Sequence, residues 1–310
     1  MRTLQESSSR PYFKPRSLAV IQREIVSEWR AIVSACALAP AQEALALEAL
    51  PLRPRLLGSS YKVDLGEALK VLSSVVYMSP ATEFFGEEDG RTSCPFATDE
   101  CADLCLGTGS GRMVMDPVKR SRIWKTALYF GARSLFRELL AREAISLARK
   151  AKKAGYLAAI RVDGATDLGE GQRLASSMLL QWHSHNVPTP IFWDYTKSIS
   201  RIRKEYGNGI PESAYSLTFS YSGENLKEAG EALRLGAPVA VVFDVKKGEA
   251  LPASWGGYPV IDGDVSDARF LDRREAGAPT TGGYIVGLRF KSARTRDEEA
   301  RRSSFVVSVS

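Results

Sequence analysis

Three cysteines fall within a dozen residues, in the run Cys94-Pro95-Phe96-Ala97-Thr98-Asp99-Glu100-Cys101-Ala102-Asp103-Leu104-Cys105. Their spacing is C-x₆-C-x₃-C. In a reducing compartment, clustered cysteines point to metal or catalysis rather than to disulfides. Three thiolates on one loop can hold a [4Fe–4S] cluster and leave one iron open to an exogenous ligand. They can instead hold zinc, with a fourth ligand from Asp99, Asp103, His183 or His185. Cys94, Cys101 and Cys105 are therefore the candidate metal ligands. The stretch Gly107-Thr108-Gly109-Ser110-Gly111 follows at once. Gly107, Gly109 and Gly111 let a backbone approach a cluster or an anionic ligand closely. Cys36 stands alone on an apolar stripe and reads as a small core residue.

Carboxylates form the second pattern. Asp163, Asp194, Asp244 and Asp262 each close an apolar run of strand length. In parallel α/β folds the carboxyl ends of strands gather at one rim, where active sites form. Asp163 and Asp194 are the candidate catalytic acids. Asp163-Gly164-Ala165-Thr166-Asp167 adds a flexible glycine and a second acid, so Asp167 is a candidate for cofactor binding. The competing reading is that Asp favours strand-to-loop turns and caps the next helix. Lys197, just past a strand end in Tyr195-Thr196-Lys197, is placed to meet a phosphate.

These residues need elements to position them. Residues 1–17 are polar and read as a flexible arm. Leu18, Ile21, Ile25, Trp29 and Ile32 recur at helical steps, so residues 18–57 read as a helical extension ending in a Pro- and Arg-bearing linker, 51–55. Strands and helices then alternate. Strands are expected at 71–78, 157–163, 190–194, 215–220, 239–244, 258–262 and 284–289. Helices are expected over 116–153 with a break at Gly131 and a stop at Gly155, and near 170–185, 198–205 and 224–235. Such alternation gives parallel strands with crossovers. The expected fold is α/β: a complete or partial (β/α) TIM-like barrel with parallel strands over 58–291, plus the helical N-terminal extension and a basic tail at 292–310. An open doubly wound sheet is the alternative, although no G-x-G-x-x-G or Walker loop marks a nucleotide-binding sheet.

Composition sets the outer bounds. The 310 residues are 44% hydrophobic and 25% charged, which excludes disorder throughout, collagen and coiled coil. No apolar run reaches the roughly 20 residues of a membrane helix, and no apolar leader opens the chain. A cytoplasmic protein without membrane partners is expected. The net charge of +6 permits contact with nucleic acid without arguing for it.

The three cysteines follow the first strand of the alternating region. In that position they resemble the cluster-binding cysteines of radical-SAM enzymes, which are full or partial (β/α) barrels. The usual radical-SAM spacing is C-x₃-C-x₂-C, and Leu104 stands where an aromatic precedes the last cysteine. A second set of motifs is similar to the phage "gene product eighty-eight"-like proteins. It comprises Cys94-Pro95-Phe96-Ala97-Thr98 with Cys101 and Cys105, the basic helix with Lys119, Arg120, Arg122 and Lys125, and Ile160-Arg161-Val162-Asp163-Gly164-Ala165-Thr166-Asp167. Phe192-Trp193-Asp194-Tyr195-Thr196-Lys197, Val260-Ile261-Asp262-Gly263-Asp264 and Ser266-Asp267-Ala268-Arg269-Phe270-Leu271-Asp272 complete it. That resemblance implies a phage or prophage origin, hence the host cytoplasm, and carries no established reaction. Two functions are expected from residues and resemblance together. One is an iron–sulfur, radical-SAM-like enzyme using a [4Fe–4S] cluster and S-adenosylmethionine on a small-molecule, nucleotide or nucleic-acid substrate. The other is a zinc-stabilised nucleic-acid-binding protein of phage replication or host takeover, with the basic helix and tail on phosphates.

Overall fold

The computed structural model describes residues 16–58, 69–109, 111–175, 188–207, 215–290 and 303–309. Two helices come first, α1 (Leu18–Ser34) and α2 (Pro40–Ala49). After β1 (Val71–Val75), the cysteine segment forms two short helices, α3 (Asp99–Asp103) and α4 (Leu106–Gly109). Two long helices follow, α5 (Asp116–Gly131) and α6 (Arg133–Ala154). The rest alternates: β2 (Leu157–Arg161), β3 (Ile191–Thr196), α7 (Ile199–Tyr206), β4 (Tyr215–Ser220), α8 (Leu226–Arg234) and β5 (Pro238–Phe243). The chain ends with a short strand β6 (Ser254–Trp255), β7 (Tyr258–Asp262), α9 (Asp272–Glu275), β8 (Tyr284–Arg289) and β9 (Val306–Val307).

The local signals act as physics requires. Ser17 caps α1, its hydroxyl accepting from Val20 N, and Ile21, Ile25, Trp29 and Ile32 form the buried stripe. Pro117 sits in the first turn of α5, where its missing N–H costs nothing. Gly155 ends α6 in the left-handed region, φ +71°. Residues 170–175 begin the helix expected near 170–185, whose remainder lies outside the described residues. Cys36 is 2% exposed, and burial pushes its thiol up to about 11, as suits a core residue.

The sheet is mostly parallel, in the order β1-β2-β3-β4-β5-β8-β7-β6, with β9 added to β5. The first five strands follow chain order with no reversal, so this is not a doubly wound sheet. A closed barrel is not formed either, because β1 and β7 do not pair. Both outer edges are already occupied. Gly58 forms an antiparallel bridge with Val75 on β1, and β6 pairs antiparallel with β7. The sixth and seventh expected strands also exchange places: β8 sits against β5, and β7 lies outside it.

Each strand divides its side chains by period two. Ile160, Phe192, Leu217, Phe219, Val239 and Val241 face the helices and share one core with α1, α6, α7 and α8. Ala159, Trp193, Ala240, Tyr284 and Val286 face the other way and are packed against Ala268, Leu271 and Ala278. The helical extension belongs to the first core and is not a separate body. Just past residues 51–55, expected as a linker, the chain is held down where Glu143 on α6 accepts from the amides of Leu56 (3.1 Å) and Leu57 (2.8 Å). No helix among the described residues is long and apolar enough to cross a membrane.

The seam between α1 and α5 is tight enough to test. A Cβ at Gly131 would run into the carbonyl oxygen of Ile32, whereas one at Gly109 meets open space. Gly131→Ala is expected to lower stability by about 1–3 kcal/mol, read as a fall in urea midpoint. Gly109→Ala should stay within about 0.5 kcal/mol of the parent.

Candidate functional site

A cavity of about 500 Å³ opens at the carboxyl ends of the parallel strands. Arg161 of β2, Tyr195 and Thr196 of β3, Ser220 of β4, Val242 of β5 and Leu288 of β8 line it. Cys94, Cys101 and Cys105 line the same cavity, on the wall made by the segment after β1. The three thiols therefore share one space, as their sequence position predicts.

Each cysteine is placed by backbone chemistry. Cys94 Sγ accepts from Ala81 N at 3.3 Å and reaches Ala165 O at 3.7 Å. Thr98 caps α3 by accepting from Cys101 N (3.2 Å), and its hydroxyl donates to Ser222 Oγ beyond β4 (3.0 Å). Cys105 opens α4, its carbonyl accepting from Thr108 N and Gly109 N. Burial pushes the Cys94 thiol up to about 12, against the Ala81 amide, and burial raises Cys105 as well. Nucleophile and metal ligand alike need the thiolate, so either role requires these buried thiols to give up a proton. Among the described residues, no three His, Cys, Asp or Glu side chains are grouped closely enough to hold one ion. Asp99 and Asp103, expected as a fourth zinc ligand, are exposed on α3 and do not line the cavity. His183 and His185 lie outside the described residues.

The glycines separate. Gly107 lines the cavity, where a Cβ would press on Pro80 and on Cys105 Sγ. Gly109 is exposed, and Gly111 opens a short 3₁₀ turn; neither lines the cavity.

The four strand-end acids do not line the cavity. Asp163 is fully buried and spends its carboxylate on its own loop. It accepts from Thr166 Oγ1 (2.8 Å) and from the amides of Leu168 (3.3 Å), Gly169 (2.9 Å) and Glu170 (3.2 Å). This is the helix-capping role, at the start of the helix beginning at residue 170. Asp194 is also fully buried. Its Oδ1 accepts from Asp163 N (3.0 Å), and its Oδ2 lies 3.1 Å from Tyr215 Oη and 3.8 Å from Arg201. Asp244 and Asp262 are held by neighbours: Asp244 N donates to Val307 O (2.9 Å), and Asp262 pairs with Arg289 (2.8 Å).

Asp167 and Lys197 do line the cavity. Asp167 accepts from Thr196 Oγ1 (2.8 Å), Lys197 N (2.8 Å) and Arg201 (2.6 Å). Lys197 Nζ lies 3.4 Å from Ser220 Oγ. The wall also contains residues that sequence reasoning missed: Arg161, Tyr77, Tyr195, Tyr221, Phe290 and Phe305. Arg161, Tyr195 and Lys197 are at the inward positions of the period-two pattern that puts Trp193 inside, so alternation was the available signal. Phe305 arrives through β9, a strand too short to announce itself.

Two of the basic helix's four cations are withdrawn from solvent, while Lys119 is half-buried and Arg120 exposed. Arg122 is fully buried against Glu83, with Nε 3.0 Å from Oε2. Lys125 is buried too, and burial pulls its amine down to about 8. Arg120 donates to Glu48 O (2.6 Å). Residues 291–302 of the tail lie outside the described residues.

A pH effect follows from the buried acids. Asp163, Asp167 and Asp194 surround one guanidinium, Arg201, which pairs most closely with Asp167. Burial first, and Asp163 second, push Asp194 up to about 7. Between about pH 4 and 7 the folded chain then holds a proton that the unfolded chain, with an Asp pKa of about 3.9, has released. Stability is greatest at the acid end of that window and falls as pH rises through it. Asp272, also pushed up to about 7 by burial, adds a parallel slope. In urea unfolding at pH 5 and pH 7.5, Asp194→Asn should flatten part of the fall, by on the order of 2 kcal/mol.

A family model described as Gene product 88 matches residues 58–307, from the β1 edge bridge through β9. No curated protein and no solved structure matches the chain.

Proposed function

The chain belongs to the phage Gene product 88 family, and from that premise and the thiol-lined cavity we propose that it is an iron–sulfur enzyme acting on a small molecule enclosed at the strand ends. The observation that carries this reading is that Cys94, Cys101 and Cys105 line one cavity with the carboxyl ends of five parallel strands. Those three residues would hold a [4Fe–4S] cluster. The donor types suit it, three thiols with the Ala81 amide on one sulfur and the Gly107 and Thr108 amides at another, but the three sulfurs would have to draw together to ligate, since they are not grouped as one ion site among the described residues. Amide N–H groups directed at sulfur stabilise cluster thiolates. When bound, the group would supply an iron with a coordination position free for an exogenous ligand.

The chain's own residues do the rest. Asp167 and Lys197 contact the bound molecule from the β2 and β3 ends. Asp163 and Asp194 are positioning residues that fix the loop carrying Gly164 and Asp167. The cavity wall limits the molecule's size. S-adenosylmethionine enters as the candidate occupant of the open iron position, on the strength of where the cysteines fall in the fold. The zinc-stabilised nucleic-acid-binding alternative is the second reading, because Arg122 and Lys125 of its basic helix are buried.

Anaerobic purification with iron and sulfide analysis tests the proposal. About four irons and four sulfides per chain, with a brown colour, are expected. Cys101→Ser should lose most of the iron, and Cys36→Ser should keep it. S-adenosylmethionine should perturb the spectrum of the reduced cluster. Stoichiometric zinc without sulfide, or colourless metal-free protein, overturns the proposal.

A further inference from the structure

We infer that the cavity takes a nucleoside phosphate, with the phosphate between Arg161 and Lys197 and the base against the aromatic wall. This deepens the reading of the cavity as the substrate site and does not depend on the cluster. The first ground is charge. Arg161, Asp167, Lys197, Asp267 and Arg289 are the ionised side chains on the wall. Asp167 is matched by Arg201, and Arg289 is matched by Asp262 and Asp264. Asp267 lies in the field of Arg269. That leaves Arg161 and Lys197, neither of which makes an ion pair among the described residues.

Both cations are held ready. Arg161 lies over the Tyr195 ring (4.7 Å) and near Trp193 (5.2 Å), and its Nε donates to Asp163 O (3.2 Å). Its two terminal nitrogens have no partner among the described residues, in the fork geometry that suits phosphate oxygens. Lys197 is the next inward position after Tyr195, with Ser220 Oγ at 3.4 Å as a further donor. Arg161 feels the buried Asp194 without pairing with it, so two half-buried cations with no ion-pair partner among the described residues stand beside a hydroxyl, which suits a group with several anionic oxygens.

The second ground is the aromatic lining. Tyr77, Tyr195, Tyr221, Phe290 and Phe305 share the wall with these cations. Such a wall stacks or edges against a flat ring, and each base–aromatic contact is worth about 1–3 kcal/mol. The third ground is size. A cavity of about 500 Å³ suits one small molecule rather than a strand. Anion, flat ring and single-molecule volume together specify a mononucleotide.

Isothermal titration of the full-length protein with adenosine monophosphate, adenosine, inorganic phosphate and an oligothymidylate tests this. Adenosine monophosphate should bind at least about tenfold more tightly than either adenosine or phosphate. Lys197→Met should lose about tenfold of the nucleotide affinity while leaving adenosine binding and the thermal midpoint unchanged. Phe305→Ala, on the terminal strand, should weaken the nucleotide and spare phosphate. Equal binding of nucleotide and nucleoside, no effect of Lys197→Met, phosphate binding as tight as the nucleotide, tighter salt-sensitive binding of the oligothymidylate, or no binding at all each overturns the inference. Iron-free protein that binds adenosine monophosphate leaves this inference standing and removes the cluster reading; iron-loaded protein that ignores the nucleotide does the reverse.

Discussion

The rim of this protein depends on how one carboxylate is satisfied. Asp163 sits beyond the end of β2 with no exposure to solvent and takes four hydrogen bonds from the seven residues that follow it. A buried carboxyl group in that position, which burial raises above the usual carboxylate range, is tolerable only because those donors replace water. The bonds wind residues 163–169 into one shape. That shape puts Gly164, Ala165, Thr166 and Asp167 on the cavity wall, carries Ala165 O to Cys94 Sγ, and lets Asp167 N donate to Ser93 O. The cysteine wall and the strand-end wall are thus joined through a loop whose geometry a single buried acid sets. Asp194 braces it from the next strand by accepting Asp163 N. The close approach requires glycine at 171, where a Cβ would strike Asp194 Oδ2.

This arrangement explains what the sequence disclosed and what it withheld. Helices, strands and the cysteine loop were legible because each is coded by neighbours: the stripe from Ile21 to Ile32, the stop at Gly155, the apolar runs of β2 to β5. Strand order was less so. That β8 inserts beside β5, ahead of β7, depends on contacts between segments far apart in the chain, such as Val239 with Ile285. Closure failed for a similar reason, since nothing local reveals that residues near Gly58 will occupy the β1 edge.

The acids show the difference between position and direction. A strand-end aspartate is correctly placed at the rim by sequence, but its side chain can face either side. Asp194 has the parity of Phe192, which faces the helices, so it is withdrawn behind the wall. Lys197 has the parity of Trp193 and Tyr195, which face inward, and it reaches the cavity. Asp163 shares the inward parity but lies past the last ladder bond, where loop hydrogen bonds override alternation.

The remaining constraint is electrostatic. The wall neutralises itself nearly everywhere: Asp167 against Arg201, Arg289 against Asp262 and Asp264. Buried thiols with raised pKa values add no charge while they keep their protons. Arg161 and Lys197 are left on this wall without an ion-pair partner among the described residues, Arg161 in the field of the buried Asp194. The C-terminal strand narrows this space from the side. β9 pairs with β5 beyond the end of β4 and brings Phe305 to the wall, and Ser304 is latched to Glu100 through its amide (3.1 Å) and hydroxyl (2.8 Å). Glu100 precedes Cys101 on α3, so any shift of the cysteine segment must also move the residue that holds the chain terminus. The cysteine segment and the terminal strand are thus tied to each other at the wall they share with Arg161 and Lys197.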